Sequence, residues 1–300
     1  MLRDTLAARD ATHEEIERVH TTGYIELVER ETRGAREARY LSTGDAVVDE
    51  SSYRVARRAA GGAIVAAQAC LAGNEAVFAL LRPPGHHAET DRGMGFCLFN
   101  NVAIAARAYQ AAGGMRVLVA DFDYHHGNGT EAVAGRGLSY CSTHAYPAYP
   151  GTGGSSFRRD ADLVVNAPLP VEGISTEGFA ALWNLLLPAV ARAVRPNILL
   201  VSAGFDYVAG DAVGDLGVGI EAARSVASTI RSVAEEHCGG SVAYILEGGY
   251  GIEAIAQSIA LIAEVHDAPA IAAGSADPNA IPHSIRERVI DFLRISQGIT

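Results

Sequence analysis

Nowhere does the 300-residue chain run apolar for the about twenty consecutive residues that a membrane-spanning helix needs, so no such span is expected. The N-terminus, Met1-Leu2-Arg3-Asp4-Thr5, lacks the apolar core of a secretory signal and leads into a charged helical pattern. Cysteine is scarce and scattered: Cys70, Cys97, Cys141 and Cys238 form no C-x-x-C pair. Cys70 and Cys141 fall in apolar runs and read as buried thiols, with a cytoplasmic location as the default. Arginine and lysine nowhere cluster as they do along a phosphate backbone, and the formal net charge is −11. Direct nucleic-acid binding is therefore not expected, and long-range attraction slightly favours neutral or cationic partners. No repeat, low-complexity linker or shift in composition divides the sequence, so one domain over residues 1–300 is the expectation.

Half of the residues are hydrophobic (49%), enough for a large core. Apolar strand-like runs recur at 76–81, 116–120, 138–142, 197–202 and 241–246. Helix-like segments lie between them at 51–71, 98–112, 176–194, 220–237 and 252–265. That alternation implies βαβ crossovers and a mainly parallel sheet. Ser51 stands at one helix start, Gly73 at its end, and Pro196 stops another. Segments 85–96 and 144–156 show no clear element and are rich in glycine, proline and aromatics, which suggests functional loops.

Four polar clusters each follow an expected strand: Arg82-Pro83-Pro84-Gly85-His86-His87, Asp121-Phe122-Asp123-Tyr124-His125, Ala203-Gly204-Phe205-Asp206 and Glu247-Gly248-Gly249-Tyr250. Parallel strands bring their carboxyl ends to one sheet edge, so clusters far apart in sequence can converge there. Asp123 and His125, two residues apart, point the same way on an extended backbone. With Asp206 they offer three oxygen or nitrogen ligands and an open position, the pattern of a catalytic divalent metal. The His86-His87 pair offers a general base and a general acid. Tyr250, on what reads as a flexible Gly-Gly turn, offers a phenol to an oxyanion. Together the parts describe metal-assisted hydrolysis of an amide or ester.

In order along the chain, RPPGHHAE (82–89), GFCLFNNVAIAA (95–106), DFDYHHGNGT (121–130), PGTG (150–153), NAPLP (166–170), SAGFD (202–206) and LEGGY (246–250) resemble the histone deacetylase and acetylpolyamine amidohydrolase superfamily. They are most like the class II histone deacetylases and their bacterial relatives. The resemblance implies a three-layer α/β/α fold like that of arginase. It implies a zinc site of Asp123, His125 and Asp206, with iron as the alternative ion in the cell. It makes His87 the general acid–base, oriented by Asn128, and His86 its electrostatic neighbour, paired with Asp121. It assigns Tyr250 to the acyl carbonyl. Phe96 and Tyr149 become the walls of a narrow acyl-lysine tunnel, with Gly95 and Gly248 also on the substrate-binding side and Asp45 holding the substrate backbone at the rim. A structural potassium ion would use Asp121, Asp123 and His125, with Ser142 nearby. His126 and His144 take supporting places, Phe179 and Trp183 belong to the core, and Glu89 and Glu172 are expected to be solvated.

Two departures from the family pattern stand out. An HPE-type opening motif is absent, which bears on the inner cavity that such residues line. Asn128 stands where some members carry Asp, and an amide supports a charged His87 less strongly. Val213, seven residues after Asp206, occupies a position where polyamine-selective members carry an acidic residue. The expected substrate is thus an acetyl-lysine-like acylated amine, with an acetylpolyamine or other small acylamide as the alternative. A non-catalytic acyl-lysine-binding module is the reading outside enzymology, and self-association is left open.

Overall fold

The computed structural model describes residues 4–73, 76–269 and 277–296; Met1, Leu2 and Arg3, where the charged N-terminal pattern was expected to begin, lie outside them. Helices α1 (His13–Glu17) and α2 (Thr22–Thr32) lead to a small hairpin of β1 (Arg39–Tyr40) and β2 (Val47–Val48). There follow α3 (Ser52–Leu71), β3 (Ala76–Ala79), α4 (Asn101–Ala111), β4 (Val117–Asp121), α5 (Asn128–Ala132), β5 (Leu138–Tyr146), β6 (Phe157–Arg159) and β7 (Asp162–Pro170). The remainder holds α6 (Thr176–Val194), β8 (Ile198–Ala203), α7 (Ala222–Cys238), β9 (Val242–Leu246), α8 (Ile252–Asp267) and, after a 3-10 turn, α9 (His283–Ser296).

Seven strands form one sheet in the order β3-β9-β8-β4-β5-β7-β6, parallel throughout except for β6. Successive side chains on a strand face opposite ways, and the core divides accordingly. Val117 and Val119 of β4, Ile198 and Leu200 of β8, and Ala243 and Ile245 of β9 pack against α3 and α4. Their alternates Leu118, Ala120, Leu199, Val201, Val242 and Tyr244 pack against α6, α7 and α8. Helices thus cover both faces of the sheet, which is why its central strands are apolar on both sides. This is the three-layer arrangement expected from the sequence.

All five expected strands are present, but β7 was not foreseen as a strand, and β5 runs on to Tyr146 into the expected loop. Pro168 and Pro170 disguise β7. They lie beyond β6, which pairs only with Asp162–Val164. At that point β7 is an open edge, where the donor missing from proline costs little. Helix ends follow local chemistry. Asn100 and Ser175 accept from the N–H groups of Ala103 and Gly178 and so cap α4 and α6. Ser51 occupies the cap position of α3 without capping it through its side chain. Its hydroxyl and N–H donate instead to Asp49, as does the Ser52 hydroxyl. Trp183 sits fully buried under the sheet with its indole N–H on Thr143 Oγ1 at 3.1 Å. Trp183→Ala should therefore lower the unfolding free energy by about 3–5 kcal/mol in urea melts; a loss below about 1 kcal/mol would contradict this packing.

Candidate metal centre and active site

Strand order puts the site where it is. From β4 the chain proceeds outward through β5 and β7, then returns to β8 on the other flank of β4 and continues to β9. The gap between β4 and β8 is thus the topological switch point, where crevices open outside the strand carboxyl ends of such sheets. Asp121 lies in register with Ser202 of β8 and Ser142 of β5, so the segments that follow β4 and β8 leave the sheet side by side.

Ligand atoms of Asp123, His125 and Asp206 come within 4.8 Å of one another, as a single divalent cation requires. His125 Nδ1 stands 3.2 Å from Asp123 Oδ1 and 2.9 Å from Asp206 Oδ2. Main-chain N–H groups fix the carboxylates: His125 and Gly248 donate to Asp123 at 2.9 and 2.8 Å, and Tyr124 donates to Asp206 at 2.9 Å. A Cβ on Gly248 would crowd both carboxylates, so only glycine allows that approach. Gly248 therefore packs against the carboxylates of Asp123 and Asp206. Both acids are buried. Burial works to raise Asp123, but His86 and His125 outweigh it and hold the carboxyl far below its usual range. Burial and the neighbouring Asp123 charge push Asp206 up. Burial disfavours charge on His125 as well, yet its bonds to the two acids raise it to about 9. Two acids around one imidazole thus favour a positive charge between them, and the donor set suits zinc or a similar ion.

The histidine pair stands beside this centre, its rings 4.1 Å apart. His86 Nδ1 donates to Asp121 Oδ2 at 3.1 Å. Burial opposes its charged form, but Asp123 and Asp121 overcome that and raise it well above the ordinary value. Burial and the charge of His86 push His87 well below it. Neighbouring imidazoles separated in this way are suited to different proton-transfer tasks. The tautomer of His87 follows from Asn128, whose Nδ2 donates to Glu89 at 2.7 Å and so turns Oδ1 toward His87 Nδ1, 2.9 Å away. Nδ1 then carries the proton and Nε2 is left as a base. Glu89 is accordingly not merely solvated; it sets the amide that orients His87.

Phe96 and Tyr149 are 53% and 39% exposed, too open for core residues. The Tyr149 ring meets His87 edge-on at 5.2 Å, and Phe96 meets Tyr250 at 5.9 Å. Phe96 adopts φ 65°, a left-handed conformation that costs a non-glycine residue on the order of 1–3 kcal/mol. A Cβ on the preceding Gly95 would overlap the His87 ring. Asp45 accepts from Gly95 N–H and from the Tyr149 hydroxyl, each at 2.9 Å. It thereby ties the segment of Phe96 to Tyr149. Ser142 is buried below the site with its hydroxyl on His144 Nδ1 at 2.8 Å. His126, likewise buried, bonds Thr152 and Glu131.

Three polar groups in the site went unassigned in the sequence. Glu247 is fully buried and accepts from the N–H groups of Gly85 and His86 at 2.6 and 3.1 Å and from Ser202 Oγ at 3.1 Å. Burial pushes its carboxyl up to about 7. Tyr140 donates to Asp121 Oδ2 at 2.9 Å. Asp211 accepts from the N–H groups of Tyr250 and Gly251, so the expected flexible turn before Tyr250 is anchored. Only Glu247 carried a signal, as an acid directly after an apolar strand.

Comparison with known proteins shows the family and the fold. The histone deacetylase domain family matches residues 1–266. Histone deacetylase 15 of Arabidopsis thaliana is 35% identical over 86% of this chain and 47% of its own length. The histone deacetylase-like amidohydrolase of Pseudomonas aeruginosa is 36% identical over 81% of this chain and 65% of its own. The chain thus spans about half of the first relative and just under two thirds of the second. The crystal structure of the HDA15 HD domain superposes with a TM-score of 0.83 at 32% identity, covering 98% of this chain and 83% of that one.

With His125 raised to about 9, a divalent cation must displace its proton below that pH. Apparent affinity should therefore weaken about tenfold per unit as pH falls from 9 toward 7, with close to one proton released per ion bound at pH 7. Calorimetric titration of metal-stripped protein in buffers of different ionisation enthalpy reads this directly; a pH-independent affinity with no proton release would contradict it.

Proposed function

The chain belongs to the histone deacetylase family, and on that premise we propose that it is a hydrolase that removes an acetyl or short acyl group from an acylated amine, acetyl-lysine-like in character. The observation that carries this reading is the meeting of Asp123, His125 and Asp206 within 4.8 Å, beside a histidine pair. These three residues would hold a zinc ion, with iron as the alternative, and the ion would supply Lewis acidity toward the acyl carbonyl and the attacking water.

The side chains of the protein do the rest. His87, neutral and protonated on Nδ1 through Asn128, takes a proton from the water on Nε2 and returns it to the departing amine. His86, held charged by Asp121, stabilises the negative charge that develops on the acyl group and disfavours a standing positive charge on His87. Burial of Tyr250, with the charges of Asp123 and Asp206, raises its phenol far above the usual range. It therefore keeps its proton to donate to the oxyanion. Phe96 and Tyr149 enclose the acyl arm, with Gly95 between Phe96 and His87. Asn128, an amide, orients His87 while leaving its charged form less stabilised than a carboxylate would.

A monovalent ion, potassium in this proposal, belongs at Asp121, Asp123 and His125 near Ser142. Val213, 44% exposed on the loop after Asp206, presents no acid to a polyamine and favours acyl-lysine-like substrates. The proposal treats residues 1–300 as one catalytic domain in a cytoplasmic setting. The chain would act without direct nucleic-acid contact, and no helix among the described residues is long and apolar enough to cross a membrane.

A panel crossing acyl length with amine carrier, run on zinc-loaded protein, tests the proposal. Acetyl-lysine peptides should be turned over, with Tyr250→Phe and His87→Ala each lowering kcat by about 100-fold or more. Much faster cleavage of acetylputrescine would move the reading to a polyamine amidohydrolase. Wild-type activity no greater than that of the variants would leave only a binding module.

A further inference from the structure

One carboxylate beside Tyr250 takes no part in the proposed chemistry. Asp211 lies five residues beyond Asp206 on the loop after β8 and is half-buried. Its Oδ2 accepts from the main-chain N–H groups of Tyr250 at 2.7 Å and Gly251 at 3.1 Å. Its Oδ1 accepts from those of Val213 at 3.0 Å and Gly214 at 3.2 Å. One side chain thus joins two segments some forty residues apart, the turn that carries Tyr250 and the rim loop that carries Val213.

The rim loop is itself built to hold position. Asp211 N–H donates to Val208 O and Leu216 N–H to Tyr207 O, each at 3.1 Å. A Cβ on Gly214 would overlap the main chain of Asp206 and crowd the Tyr124 ring, so the loop lies directly on the metal-ligand segment. On its other side the Tyr250 turn is held by Gly248 N–H on Asp123. Gly249 between them takes φ 112°, a conformation that glycine adopts without strain. Tyr250 therefore sits between two main-chain anchors, one on the metal centre and one on Asp211. Hydrogen bonds to an ionised acceptor are about twice as strong as neutral ones, so a carboxylate holding two adjacent N–H groups restrains the turn firmly.

Building on the deacetylase reading, we infer that Asp211 is a positioning residue that fixes the Tyr250 phenol against the metal centre and couples it to the rim at Val213. A displacement of about 1 Å in a catalytic group costs on the order of 100-fold in rate. Each of the four bonds to the Asp211 carboxylate comes from a main-chain N–H group, and the two on Oδ2 hold the Tyr250 turn itself, so the loss of Asp211 should act mainly through Tyr250.

Asp211→Ala and the milder Asp211→Asn test this in the metal-loaded protein. Asp211→Ala should lower kcat by about 10- to 100-fold with KM within about threefold of wild type, and Asp211→Asn should fall between. In the Tyr250→Phe background, Asp211→Ala should change the rate by less than about threefold, because the group it positions is already gone. Amide hydrogen exchange supplies a readout independent of substrate. Tyr250 and Gly251 should exchange at least about tenfold faster in Asp211→Ala, with β8 and β9 unchanged. Independent, multiplicative losses in the double variant, or unaltered exchange at Tyr250 and Gly251, would overturn the inference. So would loss of protection throughout β8 and β9 in both variants, which would mark a general structural role. Should wild-type protein turn over no acylated amine while exchange responds as stated, the functional reading fails and the anchoring of Tyr250 by Asp211 stands.

Discussion

Two buried carboxylates facing one another across the β4–β8 switch point are the constraint on which the rest of this structure depends. Asp123 and Asp206 are both out of solvent, and isolated buried charges are costly unless paired and hydrogen-bonded. The surroundings supply what they need: main-chain N–H groups from Tyr124, His125 and Gly248, and the imidazole of His125 between them. A cation held at this point would complete the compensation. The raised His125 and the glycine at 248 are consequences of fitting two acids and a positive charge into one small space, while burial and the charge of His86 depress His87 beside them.

From that centre outward the site is a series of carboxylates that hold main-chain and side-chain donors in place. Glu247 fixes the N–H groups of Gly85 and His86, which sets the start of the histidine pair. Glu89 turns Asn128, and Asn128 selects the tautomer of His87. Asp45 joins the Gly95 main chain to the Tyr149 hydroxyl, and Asp211 anchors the turn of Tyr250. Glu247, Asp45 and Asp211 each give the donors of a segment without regular secondary structure a partner, and Glu89 does the same for the side-chain amide at the start of α5. Long loops can be held in a fixed geometry in this way, and a catalytic arrangement requires it.

Much of the fold, and the grouping of Asp123, His125 and Asp206, was legible in the sequence, because local pattern specifies them. Asp123 and His125 stand two apart after an apolar strand, and Asp206 follows another. Strand alternation alone implies that such ends meet on one edge. The supporting carboxylates were less legible. Asp211 sits in an ordinary Gly-Asp turn, and nothing in its neighbourhood indicates that Tyr250, thirty-nine residues later, closes against it. Glu89 resembles any surface acid until Asn128 is folded onto it. β7 hid behind two prolines that only an edge position tolerates. Tertiary closure, rather than local propensity, decides all three.

The central claim is that three residues from two strand ends hold one divalent cation. Zinc-edge anomalous diffraction from crystals of zinc-loaded protein tests it most directly. The account predicts a single strong peak with Asp123, His125 and Asp206 each about 2.0–2.2 Å away. A peak that lacks any one of these ligands, or none between β4 and β8, would contradict it.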